Sequence, residues 1–382
     1  MKRPTILLAR LAIFSGCFAQ NLSKSEQVSL QQFLNQKSAN GATNGENLGF
    51  NGNVSSLDGV TVNNGHVVEI KWNKKDLAGN LDLNGFPNLV SVDVSDNKLS
   101  ALSVTNAPAL IDLNASKNRL TDVNFQGAGQ LQNVNLSKNR ISEFDPGQIP
   151  FITKLNLASN NLEGLDVSNA VNLVYLNVIS NNLEQLSVEN CQSLKSLYAG
   201  YNHLRGLTLT GLVKLENLNV QGNKIQNLYI QDLPSLNTLA CNDNHMTGLS
   251  ISGCKALNDV FAPYNDLTSF TVSDANALAV VNLEWNDLTN LTLSHMNFLQ
   301  RVDVSNNQLH TLDVSFDPML RYLNISNNVN LTDLRTTGDN QLTQIVGDWT
   351  GLNVEGPSAM NYPVGGPSTN PSLPDQEGTP EE

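Results

Sequence analysis

The chain has 382 residues, of which 40% are hydrophobic and only 15% are charged, and its formal net charge at pH 7 is -13. Nucleic acid is excluded as a partner, because so acidic a chain has no basic surface to replace the counterions around phosphate groups. The apolar content is sufficient for a large core, and the number of domains depends on whether the chain contains repeats.

The N-terminus has the pattern of an export signal. Two basic residues in positions 1–3 precede an apolar stretch over residues 6–18, and the small residue Ala19 follows. This stretch is too short to span a bilayer, and the sequence offers no other transmembrane segment. We predict a signal peptide over residues 1–19 and a secreted or cell-surface protein. In the alternative, the Ser-Gly pair before Cys17 resembles a lipobox, and Cys17 carries a lipid anchor.

Residues 20–65 are predicted to form an N-terminal cap. Ser23 and Glu26 have the spacing of a capping box at the start of a helix. Leu30, Phe33 and Leu34 would share one face of that helix. Such a cap shields the first apolar layer of an array of stacked repeats.

A repeat of 21 residues extends from about residue 66 to about residue 335. Each regular unit reads LxxLxVxxNxLxxLxV and ends with five connecting residues. Twelve consecutive units from about residue 89 keep this spacing without insertion or deletion. The most constant position is an asparagine, found at Asn97, Asn118, Asn139, Asn160, Asn181, Asn202, Asn223, Asn244, Asn265, Asn286, Asn307 and Asn328.

The spacing within each unit predicts two extended segments. Val92 and Val94 alternate with polar residues, as in a short strand with one buried face, and Leu102 and Val104 repeat this pattern. One coil cannot bury its apolar residues alone, so stacked coils would share a continuous core. The recurring asparagine offers both donors and an acceptor to backbone groups of the turn that have no sheet partner.

The unit resembles the 21-residue leucine-rich repeats of secreted bacterial proteins of the internalin J type. Their consensus sequence, LxxLxVSxNxLxxLDVS, recurs with few changes at residues 89–104, 152–168 and 299–315. The GVTV sequence at 59–62 and the VVEI sequence at 67–70 resemble the N-terminal cap of plant and bacterial repeat proteins. The resemblance implies a β-rich solenoid with a parallel sheet on its concave face, extended second segments and a short helical N-terminal cap. It also implies attachment or host contact.

The regular spacing ends after the last of the twelve asparagines. Residues 336–355 are predicted to close the core at the C-terminal end, with Leu342, Trp349 and Leu352 as apolar residues. Residues 356–382 consist of Pro, Gly, Ser, Thr and acidic residues with almost nothing to bury, so we predict a disordered tail.

Aromatic residues mark a candidate binding surface on the predicted concave face. Side chains that alternate with the buried ones in each first segment point away from the core. Aromatic residues at or just after these positions occur only in the later units: Tyr175, Tyr198, Tyr201, Phe261, Tyr264, Trp285 and Tyr322. We predict that they anchor a ligand, since exposed aromatic side chains on a rigid sheet are common at interfaces.

We expect the aromatic residues to form two clusters. Tyr198 and Tyr201 make the first, and Phe261, Tyr264 and Trp285 make the second, about 15 Å away at one strand spacing per coil. The alternative interpretation is that these rings only cover each other and stiffen the sheet. Asparagines also recur at the strand position between the two buried apolar residues of each first segment. They are predicted to form hydrogen bonds between neighbouring strands.

The sequence gives little support for catalysis or metal binding. Asp243, Asp259, Glu284 and Asp303 lie in neighbouring units, and paired carboxylates can hydrolyse glycosides or, with suitable spacing, bind calcium. We expect them on an open surface, without apolar walls that would raise a pKa and without a calcium-loop spacing. We therefore predict a protein that is not an enzyme and that needs no cofactor or metal.

Three cysteines follow the signal segment: Cys191, Cys241 and Cys254. Cys191 and Cys254 occupy the same repeat position three units apart, about 14 Å, which is too far for a disulfide. We predict that all three are buried free thiols.

Three functions remain open from the sequence. The first is adhesion or recognition of a protein partner through the concave face. The second is a carbohydrate-binding module that uses the same face. The third is a structural component of a surface layer without a discrete ligand.

Overall fold

The computed structural model describes residues 22–54, 57–347 and 351–356. The predicted signal peptide with Cys17, the predicted closing residue Trp349, and all but the first residue of the predicted tail lie outside the described residues. The described part contains helices α1 (Lys24–Leu34) and α2 (Asn44–Asn47) and a 3-10 helix (Pro146–Gln148). No helix in these ranges combines the length and the apolar character that crossing a membrane requires.

One long sheet, the main sheet, runs through all the coils. Its first pair, β1 and β2, is antiparallel, and the later pairs are parallel. In the described residues it has 15 strands, in spatial order: β1 (Val60–Asn63), β2 (His66–Lys71), β4 (Ser91–Asp93), β6 (Asp112–Asn114), β8 (Asn133–Asn135), β9 (Lys154–Asn156), β11 (Tyr175–Asn177), β13 (Ser196–Tyr198), β14 (Asn217–Asn219), β16 (Thr238–Ala240), β18 (Asp259–Phe261), β20 (Val280–Asn282), β22 (Arg301–Asp303), β24 (Tyr322–Asn324) and β26 (Gln344–Val346). Each regular coil therefore contributes one short strand.

The second segments form a broken layer of short parallel sheets on another side of the coils. One break, between the strands Val123–Asn124 and Gly164–Asp166, contains the 3-10 helix. In the described ranges the short sheets are β3 (Ala78–Asp82), β5 (Lys98–Ser103) and β7 (Val123–Asn124); β10 (Gly164–Asp166) and β12 (Gln185–Ser187); β15 (Tyr229–Gln231), β17 (Gly248–Ser252) and β19 (Ser269–Val272); and β21 (Asn290–Thr292), β23 (Thr311–Asp313), β25 (Asp333–Arg335) and β27 (Asn353–Glu355).

The register of the main sheet follows the sequence repeat. Tyr175 pairs with Ser196, 21 residues later, as the repeat requires. The apolar positions of both segments point inward and form one continuous core, in which Leu89 and Leu173 have no exposed surface. Burial of a leucine side chain contributes about 1.5–3 kcal/mol, so the stacking of many coils stabilises the solenoid. The predicted repeat solenoid with a parallel sheet and extended second segments is confirmed.

Helix α1 covers the N-terminal end of this core. It buries Leu30, Phe33 and Leu34, as its apolar face predicts. The Phe33 ring stacks on the indole of Trp72, with 5.7 Å between ring centroids, and Trp72 is fully buried just after β2. Trp72 joins the cap to the first coil, a role that was not predicted from the sequence.

The predicted capping box at Ser23 and Glu26 is wrong. Ser23 makes no side-chain cap, and the buried Glu26 carboxylate instead accepts hydrogen bonds from the backbone N–H of Val67, at 2.9 Å, and from His66 Nδ1, at 3.0 Å. Glu26 therefore fastens α1 to β2. A capping box does occur at α2, where the Thr43 side chain accepts from the Glu46 N–H and Glu46 accepts from the Thr43 N–H.

The three cysteines are buried and free, as predicted. Burial raises the pKa of Cys241 to about 12 and, with a smaller contribution from Asp166, that of Cys191 to about 11. Burial also raises the pKa of Cys254. The thiolate needed for nucleophilic chemistry is therefore disfavoured at all three positions.

Candidate binding face

Twelve asparagines, the Asn row, form one continuous hydrogen-bonded line through the turns that follow the main-sheet strands. In a typical coil, Asn202 Nδ2 donates to the backbone carbonyls of Val178, at 2.9 Å, and Ala199, at 3.1 Å, and its Oδ1 accepts from the Leu183 N–H at 3.0 Å. Val178 and Leu183 belong to the preceding coil, so each asparagine satisfies its own turn and the neighbouring one. Equivalent bonds occur from Asn97 to Asn328.

The residue before each asparagine forms a second line, the edge row. All its members have a left-handed backbone with φ between 51° and 63°, because the chain turns sharply at the exit of each strand. The edge row contains Asp96, Lys117, Lys138, Ser159, Ser180, Tyr201, Gly222, Asp243, Tyr264, Trp285, Asn306 and Asn327. Three of the seven predicted aromatic anchors therefore share one line and one backbone conformation.

Aromatic residues are unfavourable in this conformation. The left-handed region brings Cβ close to the carbonyl oxygen and costs on the order of 1–2 kcal/mol, and it favours Gly, Asn and Asp. Tyr201, Tyr264 and Trp285 nevertheless adopt it, each with φ of 54°, and about half of each side chain is exposed. Their rings gain only part of the burial that could offset this strain.

The position at the end of each main-sheet strand, the cap position, has a structural role in most coils. Asn177 Oδ1 accepts from the backbone N–H of Ile179 at 3.1 Å, and the other coils that carry Asn or Asp there repeat this bond. We predicted bonds between strands at these asparagines. The recurring bond instead lies within one coil, because a short polar side chain reaches its own backbone two residues on.

Three of the twelve regular coils lack this hydrogen bond, since Tyr198, Ala240 and Phe261 occupy their cap positions. In the coil of Phe261, the residue two positions on is Pro263, which has no N–H to satisfy. The three replacements fall in the part of the face that also carries Tyr201, Tyr264 and Trp285. The loss of Asn or Asp at one repeat position is visible in the sequence, but the predicted binding surface did not take it into account.

The predicted contact between Tyr264 and Trp285 is present, whereas Tyr198 pairs with Tyr175 and not as predicted. The Tyr175 and Tyr198 rings are in contact, with centroids 5.7 Å apart, and the Tyr264 and Trp285 rings stack with centroids 6.0 Å apart and planes 11° from parallel. Tyr201 instead extends along the edge row towards Gly222, where a Cβ would come within 2.7 Å of its ring.

The remaining two predicted anchors are less available. Phe261 has only 6% of its surface exposed, so our prediction that it points into solvent is wrong. It is the last residue of strand β18, whereas the edge-row residues lie beyond the strand ends. Tyr322 is partly buried, and the guanidinium carbon of Arg301 lies 3.8 Å from the centroid of its ring.

The four acidic residues considered for catalysis do not form one group. Asp303 is buried, contrary to our prediction, and it accepts hydrogen bonds from Ser305 Oγ, at 2.7 Å, and from Asn324 Nδ2, at 2.9 Å. It is a structural residue of the cap position. Burial raises the pKa of Asp259, and a hydrogen bond from Asn258 opposes this shift. In the ranges that the structure describes, no cluster of three or more His, Cys, Asp or Glu side chains could hold a metal ion.

The other two acidic residues, Asp243 and Glu284, lie near the stacked rings of Tyr264 and Trp285. Asp243 precedes Tyr264 along the edge row, and Glu284 directly precedes Trp285. The pKa of the Tyr264 hydroxyl is raised by burial and, to a smaller extent, by the negative charges of Glu284 and Asp243. The stacked pair therefore lies in a negative electrostatic field.

Buried polar atoms without a hydrogen-bond partner occur in this part of the face. Among them are Nδ2 of Asn219, a residue that is 2% exposed, and Oδ1 of Asn242, a residue that is 7% exposed. Both lie in coils between Tyr201 and Tyr264. An unsatisfied buried polar atom costs about 1–3 kcal/mol, so this stretch of the face is not optimised for stability alone.

Comparison with known proteins identifies the fold. No protein-family model matches the sequence, and no curated protein matches it. The leucine-rich effector YopM from Yersinia pestis is 22% identical, with a TM-score of 0.57 over 72% of this chain and 79% of that one. An internalin, InlF, from Listeria monocytogenes is 19% identical, with a TM-score of 0.52 over 82% and 92%. A chain of the LRIM1/APL1C complex is 18% identical, with a TM-score of 0.55 over 72% and 59%. The chain has the leucine-rich-repeat solenoid fold, as the resemblance to internalins predicted.

Proposed function

We propose that this chain is a secreted or surface-exposed protein that binds another protein through the outer face of its main sheet, in adhesion or recognition. This face corresponds to the concave surface on which leucine-rich-repeat solenoids present their binding residues. The fold hosts many functions, so the side chains must carry the argument. The observation that carries it is the presence of Tyr201, Tyr264 and Trp285, half exposed, at backbone positions that disfavour aromatic residues.

Two further features of the same stretch support this proposal. The cap-position hydrogen bond is abandoned at Tyr198, Ala240 and Phe261, and buried polar atoms of Asn219 and Asn242 lack partners. Except in the coil of Phe261, where Pro263 has no N–H to satisfy, these features lower the stability of the free protein. Such local costs, concentrated around exposed aromatic side chains, are typical of surfaces that are selected for binding.

We further propose that binding is the whole activity, without catalysis or a cofactor. The acidic residues support this, because they do not form one catalytic group. Asp303 is held in structural hydrogen bonds, whereas Asp243 is exposed. Export by the predicted signal peptide, or anchoring through Cys17, would place the solenoid where it can meet a partner. Mass measurement of the N-terminus of the exported protein distinguishes cleavage after Ala19 from lipidation of Cys17.

Site-specific photo-crosslinking tests the proposed face. A benzoylphenylalanine replaces Tyr201 or Tyr264, and a matched control carries it at Thr210, which is exposed on the connection after the second segment. Irradiation in a mixture of extracellular and cell-surface proteins should give a discrete protein adduct from positions 201 and 264. We expect no such adduct from position 210.

Equal adducts from all three positions, or none from positions 201 and 264, would contradict the proposal. A glycan array with the unmodified protein covers the carbohydrate alternative. Specific sugar binding that disappears in the Tyr264→Asn, Trp285→Asn double variant would favour a carbohydrate-binding module instead.

A further inference from the structure

We propose that the stacked pair Tyr264–Trp285, with the carboxylates of Asp243 and Glu284, binds a cationic side chain, an arginine guanidinium or a lysine ammonium, of the partner protein. This inference rests on the proposed function and adds the chemistry of the contact: the partner presents a basic segment to the acidic end of the edge row. We call the four residues the cation site.

The geometry of the cation site suits a flat or compact cation. The two rings are nearly parallel, with planes 11° apart, and about half of each side chain is exposed. A cation over the face of Trp or Tyr within about 6 Å of the centroid is attracted by the negative charge of the π face. The left-handed backbone of the edge row projects both rings beyond the strand ends, where a partner can reach them.

Charge selects a cation over a neutral group. Asp243 is exposed beside Tyr264. After burial, the negative charges of Glu284 and Asp243 also contribute to raising the pKa of the Tyr264 hydroxyl. Asp266 and Asp287, each one residue beyond the Asn row, add two exposed acidic groups to the same coils. In the same stretch, His245 Nδ1 lies 3.6 Å from a carboxylate oxygen of Asp266.

The molecule already contains this type of contact on the same face. The Arg301 guanidinium carbon lies 3.8 Å from the ring centroid of Tyr322, two coils from Trp285. The internal pair shows that the spacing of the coils accommodates a guanidinium stacked on an aromatic ring.

An unsatisfied acceptor adjoins the cation site. Asn242 Nδ2 donates to the Asp243 carboxylate at 3.1 Å, while its buried Oδ1 has no donor. Arginine carries five N–H donors and lysine three, and neither has an acceptor. The carboxylates of Asp243 and Glu284 would accept hydrogen bonds from such donors.

The opposite end of the edge row provides a matched control. Lys117 and Lys138 occupy the same position and the same left-handed conformation in early coils, next to Arg119 and Arg140. The row is therefore basic near its N-terminal end and acidic with aromatic residues further along. A general attraction of cations to a chain of net charge -13 would not depend on the two rings.

Fluorescence anisotropy with short labelled peptides tests the cation site. The probes are peptides with arginine, lysine, glutamate or serine at every third position of a Gly-Ser background, and the protein is the full chain at about 0.15 M ionic strength. We expect the arginine and lysine peptides to bind and the glutamate and serine peptides not to bind. The Tyr264→Asn, Trp285→Asn variant should weaken binding about tenfold or more, and Asp243→Asn with Glu284→Gln about fivefold.

Asparagine is the replacement of choice because Asn306 and Asn327 already occupy the edge row, so these variants should fold. The control variant Lys117→Asn, Lys138→Asn should bind the arginine peptide as tightly as the wild type or more tightly.

Equal binding of the arginine peptide by wild type and the ring variant, or no binding of either cationic peptide, would overturn the cation site. Serine-peptide binding that matches arginine-peptide binding and is lost in the ring variant would overturn cation selectivity but leave the proposed function intact. Discrete adducts at position 264 without cationic binding would separate the two in the same way.

Discussion

The Asn row and the edge row are adjacent residues of the same turns, yet they differ in what they keep constant. The Asn row keeps one side chain in twelve coils, because each amide satisfies backbone groups of two coils. The edge row keeps only its left-handed backbone and carries acidic, basic, small and aromatic side chains. The comparison indicates that the asparagine builds the turn, and that the residue before it is free to serve recognition.

The first prediction concerns the loss of one asparagine from the Asn row. Asn202→Ala removes the amide that bonds to Val178, Ala199 and Leu183 and leaves their buried backbone groups unsatisfied. At about 1–3 kcal/mol for each such group, we expect a loss of about 4 kcal/mol or more. Urea unfolding followed by circular dichroism should show a lower midpoint. A loss below about 1 kcal/mol would contradict the role given to the Asn row.

The second prediction concerns the C-terminal coils, where titratable carboxylates take over the bonding of backbone N–H groups. Asp317 Oδ1 accepts from the Met296 N–H at 2.6 Å, and Asp339 Oδ1 accepts from the Asp317 N–H at 2.8 Å. Both side chains are buried, and their other oxygens have no partner. Burial raises the pKa of Asp317 to about 8, with smaller contributions from Asp339 and Asp313, and that of Asp339 to about 7.

Raised pKa values make these coils more stable in acid than in base, the opposite of most carboxylates. In the unfolded chain both groups titrate near their ordinary pKa of about 4. Between that pH and about 8 the folded chain holds more protons, so stability is complete below about pH 4 and falls as pH rises through about 7–8. Asp317→Asn keeps an acceptor without the charge. It should raise the unfolding free energy by about 2 kcal/mol at pH 9 and change it little at pH 4. The Asn202→Ala variant, with no titratable group involved, should show the wild-type pH dependence.

The sequence was sufficient to predict the architecture because the constant features are local and repeated. Leu89 and its equivalents define the core, and a 21-residue spacing without gaps defines the register, so the parallel main sheet followed directly. Glu26 shows where this reasoning fails. Its spacing from Ser23 fits a capping box, but its buried bond to Val67, 41 residues away, depends on how α1 docks on β2.

The binding face was predictable in part, because alternation along a strand gives only the direction of a side chain. Tyr264 and Trp285 were correctly expected to lie in neighbouring coils and to be exposed. Phe261 and Asp303 occupy outward positions of the same strands but are buried. The depth of a side chain within that layer depends on its neighbours' sizes and rotamers, which the repeat does not specify.

The last prediction tests the variable row and has the smallest expected effect. Tyr201→Asn replaces an aromatic residue in the left-handed region by one that this region favours. The relief of strain opposes the loss of the ring's contact with Gly222, so the unfolding free energy should change by less than about 1 kcal/mol in either direction. Urea unfolding beside Asn202→Ala, one residue away, measures the contrast directly. If Tyr201→Asn destabilises the chain as strongly as Asn202→Ala, the edge row is structural too, and its aromatic residues no longer indicate binding.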